Sequence, residues 1–417
     1  LRQQATLIHS ASITTIHSFC LSVIRENFHV IDMDPSFRIG EEGELKLLER
    51  DVLQELLEEK YEKKEERFLA FAESYASGKS DRKLEEIILR LYEFSRSCPD
   101  PEGWLADCVR ACQIHSGEEL ARTPFFAFVR EEVDHAMETA ASLKDQALAL
   151  CLEPDGPYMY EEMLESDMKN VERFRQAAAY SQYRQAAEQI SWKKLAPNRD
   201  KAVSKDKAER VKKLRDELKK AVVFPAEQYF SQTEEEVLAG LAACAPMMEE
   251  LKDLTEAFAV RFEEKKRSRG IIDYSDMEQY ALRILTEKTE DGLRPSACAR
   301  VYQEQFREVM IDEYQDSNLI QEAILTSVSR TWQGRNNIFM VGDVKQSIYR
   351  FRLSRPELFM EKFDTYRIYE GEGTDSPTQR IDLFKNFRSR PEVLDSVNAL
   401  FRRIMIPELG GITYDDR

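Results

Sequence analysis

The longest uniform pattern in this chain of 417 residues runs from residue 44 to residue 265, where apolar side chains return with the period of an α-helix. Its first segment places apolar residues at Leu45, Leu48, Val52 and Leu56. Proline-containing breaks interrupt the pattern at 99–101 and 153–157. Because single globular helices are much shorter than this run, it predicts a helical domain of about 200 residues.

The two ends of the chain follow a different pattern, in which short apolar runs alternate with helical segments. Residues 12–17 (SITTIH) are β-branched and predict a strand, whereas residues 18–30 predict a helix. After Gly270, apolar runs at 306–312 and 336–343 each end in acidic residues. These runs predict strands, so the ends belong to an α/β fold.

Three further local elements are predicted. Residues 37–39 form a brief extended stretch, and Asp273 or Ser275 caps the start of a helix. After a loop at 370–377, residues 378–404 predict a strand, a turn and a helix.

The chain is acidic, with 60 Lys and Arg against 77 Asp and Glu and a net charge of −17. Its overall charge does not favour nucleic acid, so binding to a polyanion needs a local basic face or stacking aromatics. Residues 193–220 are an exception, with twelve basic and five acidic residues. This stretch either steers duplex DNA or forms a solvated helix with charge pairs one turn apart, and both interpretations stay open.

The cysteines and the hydropathy exclude other classes of protein. The seven cysteines contain no C-x-x-C pair and no His or Cys spacing that completes a zinc site, which predicts free thiols in a reducing compartment such as the bacterial cytoplasm. No apolar run approaches the length of about 18 residues that a transmembrane helix requires.

The segment IDEYQD (311–316) carries two carboxylates at the end of a predicted strand. Ligands of open α/β sheets bind at this end of the strands. Asp312 could hold Mg²⁺, which prefers one or two carboxylates with phosphate oxygens and water, and Glu313 could orient or deprotonate an attacking water. The alternative is a solvated turn whose acids cap a helix.

The segment VGDVKQSIYRF (341–351) repeats this arrangement and adds an aromatic and basic cluster. Gln346 could reach a phosphate or the attacking water. Tyr349 and Phe351, each followed by an arginine, suit base stacking on a single strand. The alternative is a core phenylalanine, a surface tyrosine and solvated arginines.

The segment NFRSRPEVL (386–394) places Arg388 in a turn before a predicted helix. An arginine fork stays charged and binds phosphate bidentately, so Arg388 could contact a phosphate from a second domain. The alternative is a surface arginine. A helix N-terminus disfavours a cation, which argues for an anionic partner.

Taken in order, these segments resemble the superfamily 1A DNA helicases. The resemblance rests on TIHSFC (15–20) for motif Ib, IDEYQD for motif II, VGDVKQSIYRF for motif III, KNFRS (385–389) for motif IV, and IIDYSDMEQYALRIL (271–285) for the helix before motif II. Within this superfamily, residues 11–42 and 191–220 are most similar to the AddA-type helicase–nuclease subunits of bacterial recombination complexes.

The resemblance implies roles for residues at an ATP site. Asp312 would bind Mg²⁺, and Glu313 would activate the water for ATP hydrolysis. Gln346 resembles the sensor of the γ-phosphate, and Arg388 resembles the arginine that reaches ATP across a domain cleft. Gln315 corresponds to the motif II glutamine and would contact the nucleotide.

The resemblance also implies residues that contact the adenine and the DNA strand. Phe387 stands where a tyrosine commonly stacks near the adenine, and Phe351 stands where a tryptophan stacks on bases. The implied strand-contacting residues are His17, Tyr349, Phe351 and Arg352. Leu353 and Ser354 replace the usual Gly-Ala pair, so the strand contacts at this point depart from the family pattern.

The implied fold is α/β, a partial RecA-like P-loop NTPase core with a large all-helical insertion. Residues 1–43 and 266–374 would form RecA-like domain 1A, residues 44–265 the helical insertion domain 1B, and residues 375–417 the start of RecA-like domain 2A.

The implied activity is ATP-dependent and Mg²⁺-dependent 3′→5′ unwinding of DNA in double-strand break repair and recombination. The implied partners are single- and double-stranded DNA and an AddB-like subunit in a heterodimer. Two alternatives are a helical protein-interaction or regulatory module with a degenerate motor core, and another UvrD-type helicase.

Several family features do not occur in these residues. The sequence contains no G-x-x-x-x-G-K-[ST] phosphate-binding loop and no segment resembling motifs Ia, V or VI or a nuclease domain. We therefore expect the chain to be a piece of a longer helicase–nuclease subunit. We expect this piece to be inactive by itself.

Overall fold

The computed structural model describes residues 11–75, 80–290, 292–371, 376–405 and 414, and the side chain of Arg352 lies outside this description. The described chain is predominantly helical and contains small sheets. It divides into two compact units. The first comprises the described residues of Leu1–Ala106 and Glu250–Arg417, and the second comprises Asp107–Glu249.

The first unit takes elements from both ends of the chain. Its helices are α1 (Ile16–Asn27), α2 (Glu42–Lys63), α3 (Glu66–Tyr75), α4 (Arg82–Arg96), α12 (Tyr274–Leu285), α13 (Ala297–Gln305), α14 (Leu319–Val328), α15 (Pro356–Thr365) and α16 (Pro391–Ile404). Its strands are β1 (Arg38–Ile39), β2 (Ile271–Ile272), β3 (Thr286–Thr289), β4 (Gly292–Pro295), β5 (Val309–Ile311), β6 (Ile338–Met340), β7 (Arg367–Ile368) and β8 (Gln379–Arg380).

The second unit is helical throughout its described elements. It contains α6 (Gly117–Ala121), α7 (Pro124–Cys151), α8 (Glu161–Gln176), α9 (Tyr180–Glu188) and α10 (Lys205–Tyr229). The chain passes between the units within α5 (Pro101–Arg110) and α11 (Glu234–Ser268). Helices α7 and α10 pack along each other. Their buried core includes Val133, Met137, Leu218 and Val222.

A buried ion pair joins α8 and α10 of the second unit. Arg215 donates to both carboxylate oxygens of Asp167 at 2.6 and 3.0 Å, and both side chains are almost fully buried. Arg215 also donates to the backbone carbonyl of Lys193 at 2.6 Å. A buried charge requires such partners, because desolvation without them is costly.

Helices α1, α12 and α14 form the centre of the first unit's core. Apolar residues on their facing sides are fully buried, among them Val23, Ile24, Tyr280, Ala281, Ile320 and Ile324. Asp273 is the N-cap of α12 and exchanges hydrogen bonds with Asp276, as in a capping box. Buried Lys266 donates to both carboxylates at 2.6 Å. These contacts determine where α12 starts, and hence which of its side chains face α1 and α14.

Parallel pairing brings distant segments of the first unit together. Strands β1 and β2 pair in parallel, as do β5 and β6, where Val309 lies opposite Ile338. Strands β7 and β8 are also parallel, whereas β3 and β4 form an antiparallel hairpin. The carboxyl ends of β5 and β6 therefore lie at the same edge.

Most of the local sequence predictions are confirmed. The predicted extended stretches at 37–39, 306–312 and 336–343 contain β1, β5 and β6. Asp273 caps α12 as predicted. The final predicted strand and helix are β8 and α16. The predicted loop at 370–377 falls partly on residues 372–375, which lie outside the described residues.

The strand predicted at residues 12–17 is wrong. Helix α1 already begins at Ile16, and the hydroxyl oxygen of Thr15 accepts the backbone N–H of Ser18 at 3.4 Å as its N-cap. This cap, together with the burial of Cys20 and Val23 on the inner face of α1, outweighs the β propensity of the branched residues.

The structure differs from the sequence predictions at two further places. Residues 191–204 form no helix within the long helical stretch, and the hairpin of β3 and β4 was not predicted. The predicted limits of the helical domain, residues 44–265, stay a prediction.

Candidate functional site

The carboxylates of IDEYQD lie at the carboxyl end of β5. Asp312 and Glu313 are both exposed, and Asp312 Oδ1 accepts the backbone N–H of Glu313 at 3.0 Å. Glu313 adopts a left-handed conformation with φ of 51°, which is unusual for a residue other than glycine. The chain then enters a short 3₁₀ helix, Tyr314–Asp316. This sharp turn places both carboxylates at the edge of the sheet.

The loop that follows β6 lies beside this turn. Val341 donates its backbone N–H to Ile311 at 2.8 Å, and its carbonyl accepts the N–H of Tyr314 at 2.9 Å. These bonds continue the parallel ladder beyond the strands. They bring Gly342 and Asp343 next to the carboxylate turn.

Gln315 connects the two loops. Its side chain is buried, with the residue 1% exposed. The amide Nε2 donates to Glu313 Oε2 at 2.7 Å, and the amide oxygen accepts the backbone N–H of Asp343 at 3.0 Å. Gln315 is therefore placed to position Glu313 relative to the loop after β6.

Gly342 is required by the close approach of Gln315. A Cβ atom at Gly342 would lie 2.6 Å from Gln315 Oε1 and 3.2 Å from Gln315 N. Contacts of this length to a buried side chain and to backbone are not tolerated without movement. Gly342 is not among the glycines with positive φ, so the requirement concerns space and not backbone conformation.

Gln346 is oriented by Asp343. Gln346 Nε2 donates to Asp343 Oδ2 at 2.9 Å, and Lys345 Nζ lies 3.0 Å from Oδ1 of the same carboxylate. Burial acts to raise the pKa of Asp343, but the contacts from Gln346 and Lys345 outweigh it and hold the pKa below its usual value. Asp343 is therefore ionised at neutral pH. Sequence reasoning missed it, although the Gly-Asp pair after a strand was the available signal.

A second buried contact connects the Tyr314–Asp316 turn to two helices. Tyr314 is fully buried and donates its hydroxyl to Glu322 on α14 at 2.5 Å, and Lys362 on α15 contacts the same carboxylate at 2.8 Å. Burial and Glu322 raise the pKa of Tyr314 far above its usual value, so the hydroxyl stays a donor. Tyr314 thus ties the turn to α14 and α15.

The aromatic residues of the third motif are on the surface. Phe351 is 75% exposed, which contradicts a core role, and Tyr349 is 37% exposed. Their ring centroids lie 5.9 Å apart at an interplanar angle of 52°. Both rings are accessible to a stacking ligand. Arg352 cannot be placed in this cluster, because its side chain lies outside the described part of the chain.

The motif IV residues are exposed and are not bonded to the carboxylates in the described part of the chain. Phe387 is 91% exposed, and the backbone N–H of Arg388 donates to Asn386 Oδ1 at 2.9 Å. Over the described ranges, no hydrogen bond or ion pair joins Phe387 or Arg388 to the group formed by Asp312, Glu313, Gln315 and Gln346. The structure therefore brings together four of the six residues predicted at the ATP site.

His17, on α1, contacts two residues of α12. Its Nε2 lies 3.3 Å from Glu278 Oε1, and its ring centroid lies 5.1 Å from that of Tyr274 in an edge-on arrangement. The His17 side chain is 38% exposed, so one part of the ring is available at the surface.

The basic segment 193–220 is partly paired within the second unit. Five of its cations contact carboxylates, namely Lys193, Lys207, Lys212, Arg215 and Lys219. Seven others are exposed, namely Lys194, Arg199, Lys201, Lys205, Arg210, Lys213 and Lys220. Charge pairing and a basic surface coexist here, so both interpretations of the segment stay open.

The donor set at Asp312 fits a hard cation only in part. Carboxylate oxygens suit Mg²⁺, and Asp312 Oδ2 accepts no hydrogen bond in the described part of the chain. Among the described residues, however, no group of three or more His, Cys, Asp or Glu side chains could hold a metal ion. Asp312 would thus need phosphate oxygens and water to complete the coordination.

A pair of parallel strands whose following loops carry linked carboxylates and amides is typical of nucleotide-binding α/β proteins. The family model of the UvrD/REP helicase N-terminal domain matches residues 1–153 and 157–367. The chain belongs to this helicase family.

Relatives over the whole chain have one description in common. The chain is 44% identical to an ATP-dependent helicase/nuclease subunit from Lachnoclostridium phytofermentans over 99% of its length. It is 42% identical to the proteins of the same description from Anoxybacillus flavithermus and Geobacillus thermodenitrificans, over 100% of its length. The chain spans 30% of the first of these relatives and 34% of the other two. In the described residues, no helix is both long and apolar enough to cross a membrane.

Proposed function

We propose that the chain is the part of an AddA-like, ATP-dependent DNA helicase that carries the water-activating and γ-phosphate-sensing residues. The observation that carries the proposal is the continuous hydrogen-bonded path from Glu313 through Gln315 and Asp343 to Gln346. Family membership and the description of the relatives support it.

Glu313 is the general base in this proposal. Its Oε2 is held by Gln315, whereas Oε1 accepts no hydrogen bond in the described residues and is available to a water. Asp312 would hold Mg²⁺ beside it, and the bound ion would neutralise charge on the phosphates. Gln346, whose amide Asp343 orients, would donate to the γ-phosphate.

The remaining residues would act from other surfaces. Arg388 would reach the phosphates, and Phe387 would stack near the adenine, when a second RecA-like domain closes over the first. His17, Tyr349, Phe351 and Arg352 would contact single-stranded DNA.

The proposed architecture follows the family. The parallel pairs of the first unit would belong to a RecA-like core, domain 1A, with residues 375–417 beginning domain 2A and 44–265 forming the inserted domain 1B. The whole protein would unwind DNA with 3′→5′ polarity in double-strand break repair. It would carry a nuclease domain and would act in a heterodimer with an AddB-like partner. A degenerate regulatory module is less well supported, because Asp312, Glu313 and Gln346 are all present.

The polypeptide of 417 residues by itself should not hydrolyse ATP. ATP phosphates need the backbone N–H groups and lysine of a P-loop, which this sequence does not contain. Glu313 and Asp312 would form only part of a site.

The test is Glu313→Gln in the full-length protein. Loss of the general base should lower DNA-stimulated phosphate release about 10²–10⁴-fold while ATP binding is retained. Glu287→Gln, an exposed glutamate on β3, is the matched control. Unchanged ATPase in Glu313→Gln would contradict the assignment.

A further inference from the structure

Glu278 is a buried carboxylate that belongs to none of the four motifs. It lies on α12, is 7% exposed and receives contacts from two other helices. Burying a carboxylate is unfavourable unless donors compensate the lost water. The identity of those donors therefore indicates what Glu278 does.

Three donors converge on this carboxylate. His17 Nε2 lies 3.3 Å from Oε1, and Gln321 Nε2 donates to the same oxygen at 2.7 Å. Asn318 Nδ2 donates to Oε2 at 3.3 Å. Burial acts to raise the pKa of Glu278, but the hydrogen bonds from His17, Gln321 and Asn318 outweigh it and hold the pKa below its usual value. Glu278 is therefore charged at neutral pH and accepts from these three donors.

The contact with Glu278 determines which ring nitrogen of His17 acts as the donor. An ionised carboxylate is only an acceptor, so Nε2 is the ring nitrogen that donates in this contact. The other nitrogen, Nδ1, makes no hydrogen bond within the described chain, and the side chain is 38% exposed. One nitrogen of the ring is thus held by Glu278, and part of the side chain is exposed.

Glu278 also contacts the start of α14, which follows motif II directly in the chain. Asn318 is the N-cap of α14, and its Oδ1 accepts the backbone N–H of Gln321 at 2.8 Å. It follows Asp316, the last residue of the 3₁₀ turn that carries Gln315, by two positions. Glu278 therefore contacts both His17 and the first turn of the helix that begins directly after the Tyr314–Asp316 turn.

We propose that Glu278 is a positioning residue that holds the partly exposed His17 and links it to the N-terminus of α14, so that a DNA strand at His17 regulates the ATP site. This inference rests on the proposed function for its physiological meaning. The contact of Glu278 with His17 is testable without it.

The first test is made on the chain itself. Histidine is labelled with ¹⁵N, and the chemical shifts of His17 report which ring nitrogen carries the proton. Glu278→Gln should shift the Nε2–H signals of His17, because an uncharged carboxamide oxygen is a weaker acceptor than a carboxylate. The control Glu287→Gln should leave them in place. Unchanged His17 signals in Glu278→Gln would overturn the inference.

The second test is a double-mutant cycle on the full-length protein, which measures single-strand affinity for His17→Ala, Glu278→Gln and the double variant. Glu278→Gln should weaken binding about tenfold, as expected for loss of one charged contact, and should have no further effect when His17 is absent. Equal effects in both backgrounds would contradict action through His17.

The third test separates the link to α14 from the contact with His17. Gln321→Met removes the shortest bond between Glu278 and α14 and does not substitute His17 itself. It should lower strand-stimulated ATPase while strand affinity is retained, and retained stimulation would overturn the link. Failure of the proposed function has a different signature: the wild-type full-length protein would lack strand-dependent ATPase, whereas the His17 signals would still report the contact.

Discussion

Gly342→Ala tests the bridge between the two loops at the candidate ATP site. The new methyl group would lie 2.6 Å from Gln315 Oε1 and 3.0 Å from a ring carbon of Phe359. Gln315 is buried and bonded at both ends, so it cannot rotate away without losing its contact with Glu313 or Asp343. We therefore expect the bond between Gln315 and the Asp343 N–H to break.

The magnitude follows from two contributions. Overpacking a tight site costs about 1–3 kcal/mol, and leaving a buried polar group without its partner costs about 1–3 kcal/mol. Because partial relaxation lowers both, we expect a local destabilisation of about 2–4 kcal/mol. A global unfolding curve is a poor measure, since a chain with two compact units need not unfold in one step.

Amide hydrogen exchange at Asp343 reports this bond directly. A loss of about 2 kcal/mol accelerates exchange roughly 30-fold. Gly240→Ala is the matched control, because Gly240 lies on α11 with no atom within 4 Å of the new methyl group. Replacing this helical glycine with alanine should stabilise the helix by about 0.5–1 kcal/mol. In the full-length protein, Gly342→Ala should also lower ATPase, since Glu313 loses its support. Unchanged Asp343 exchange in Gly342→Ala, or equal acceleration in Gly240→Ala, would refute the reasoning.

Three further predictions use the same contrast of exposure and burial. Phe351→Ala should weaken single-strand binding of the full-length protein by about 1–3 kcal/mol without changing stability, as measured by fluorescence anisotropy and thermal unfolding, because the ring is 75% exposed. Asp167→Ala should destabilise the second unit by about 3–5 kcal/mol in denaturant unfolding, since Arg215 would remain buried without its partner, and a loss below about 1 kcal/mol would contradict this. Burial raises the pKa of Cys151 to about 11, so at pH 8 iodoacetamide should label exposed Cys244 much faster, and equal rates would count against the buried site.

The sequence alone predicted those parts of the structure that depend on neighbouring residues. The cap of α12 at Asp273, the existence of the strands β5 and β6, and the helical period of the central stretch are all indicated by residue patterns within a few positions. The failure at residues 12–17 shows the limit of such local rules, since the burial of α1 against α12 and α14 outweighs β propensity there.

The sequence left Asp343 and Glu278 without a role, because their partners are far away along the chain. Gln315 meets Asp343 only because β5 and β6 pair in parallel with one particular register. Glu278 meets His17 only because α12 packs on α1. No motif or period predicts such contacts, because each depends on how separate elements pack.

The sequence by itself determined the family, the order of the motifs and the residue types available for ATP chemistry, because these are written in short contiguous segments. Only the tertiary structure decided which of those residues lie together. It grouped Asp312, Glu313, Gln315 and Gln346, formed no bond between Arg388 and this group in the described chain, and placed Phe351 on the surface. The physical reason is that exposure and side-chain contact are properties of packed elements, and the packing is set by strand register and buried surface over the whole unit.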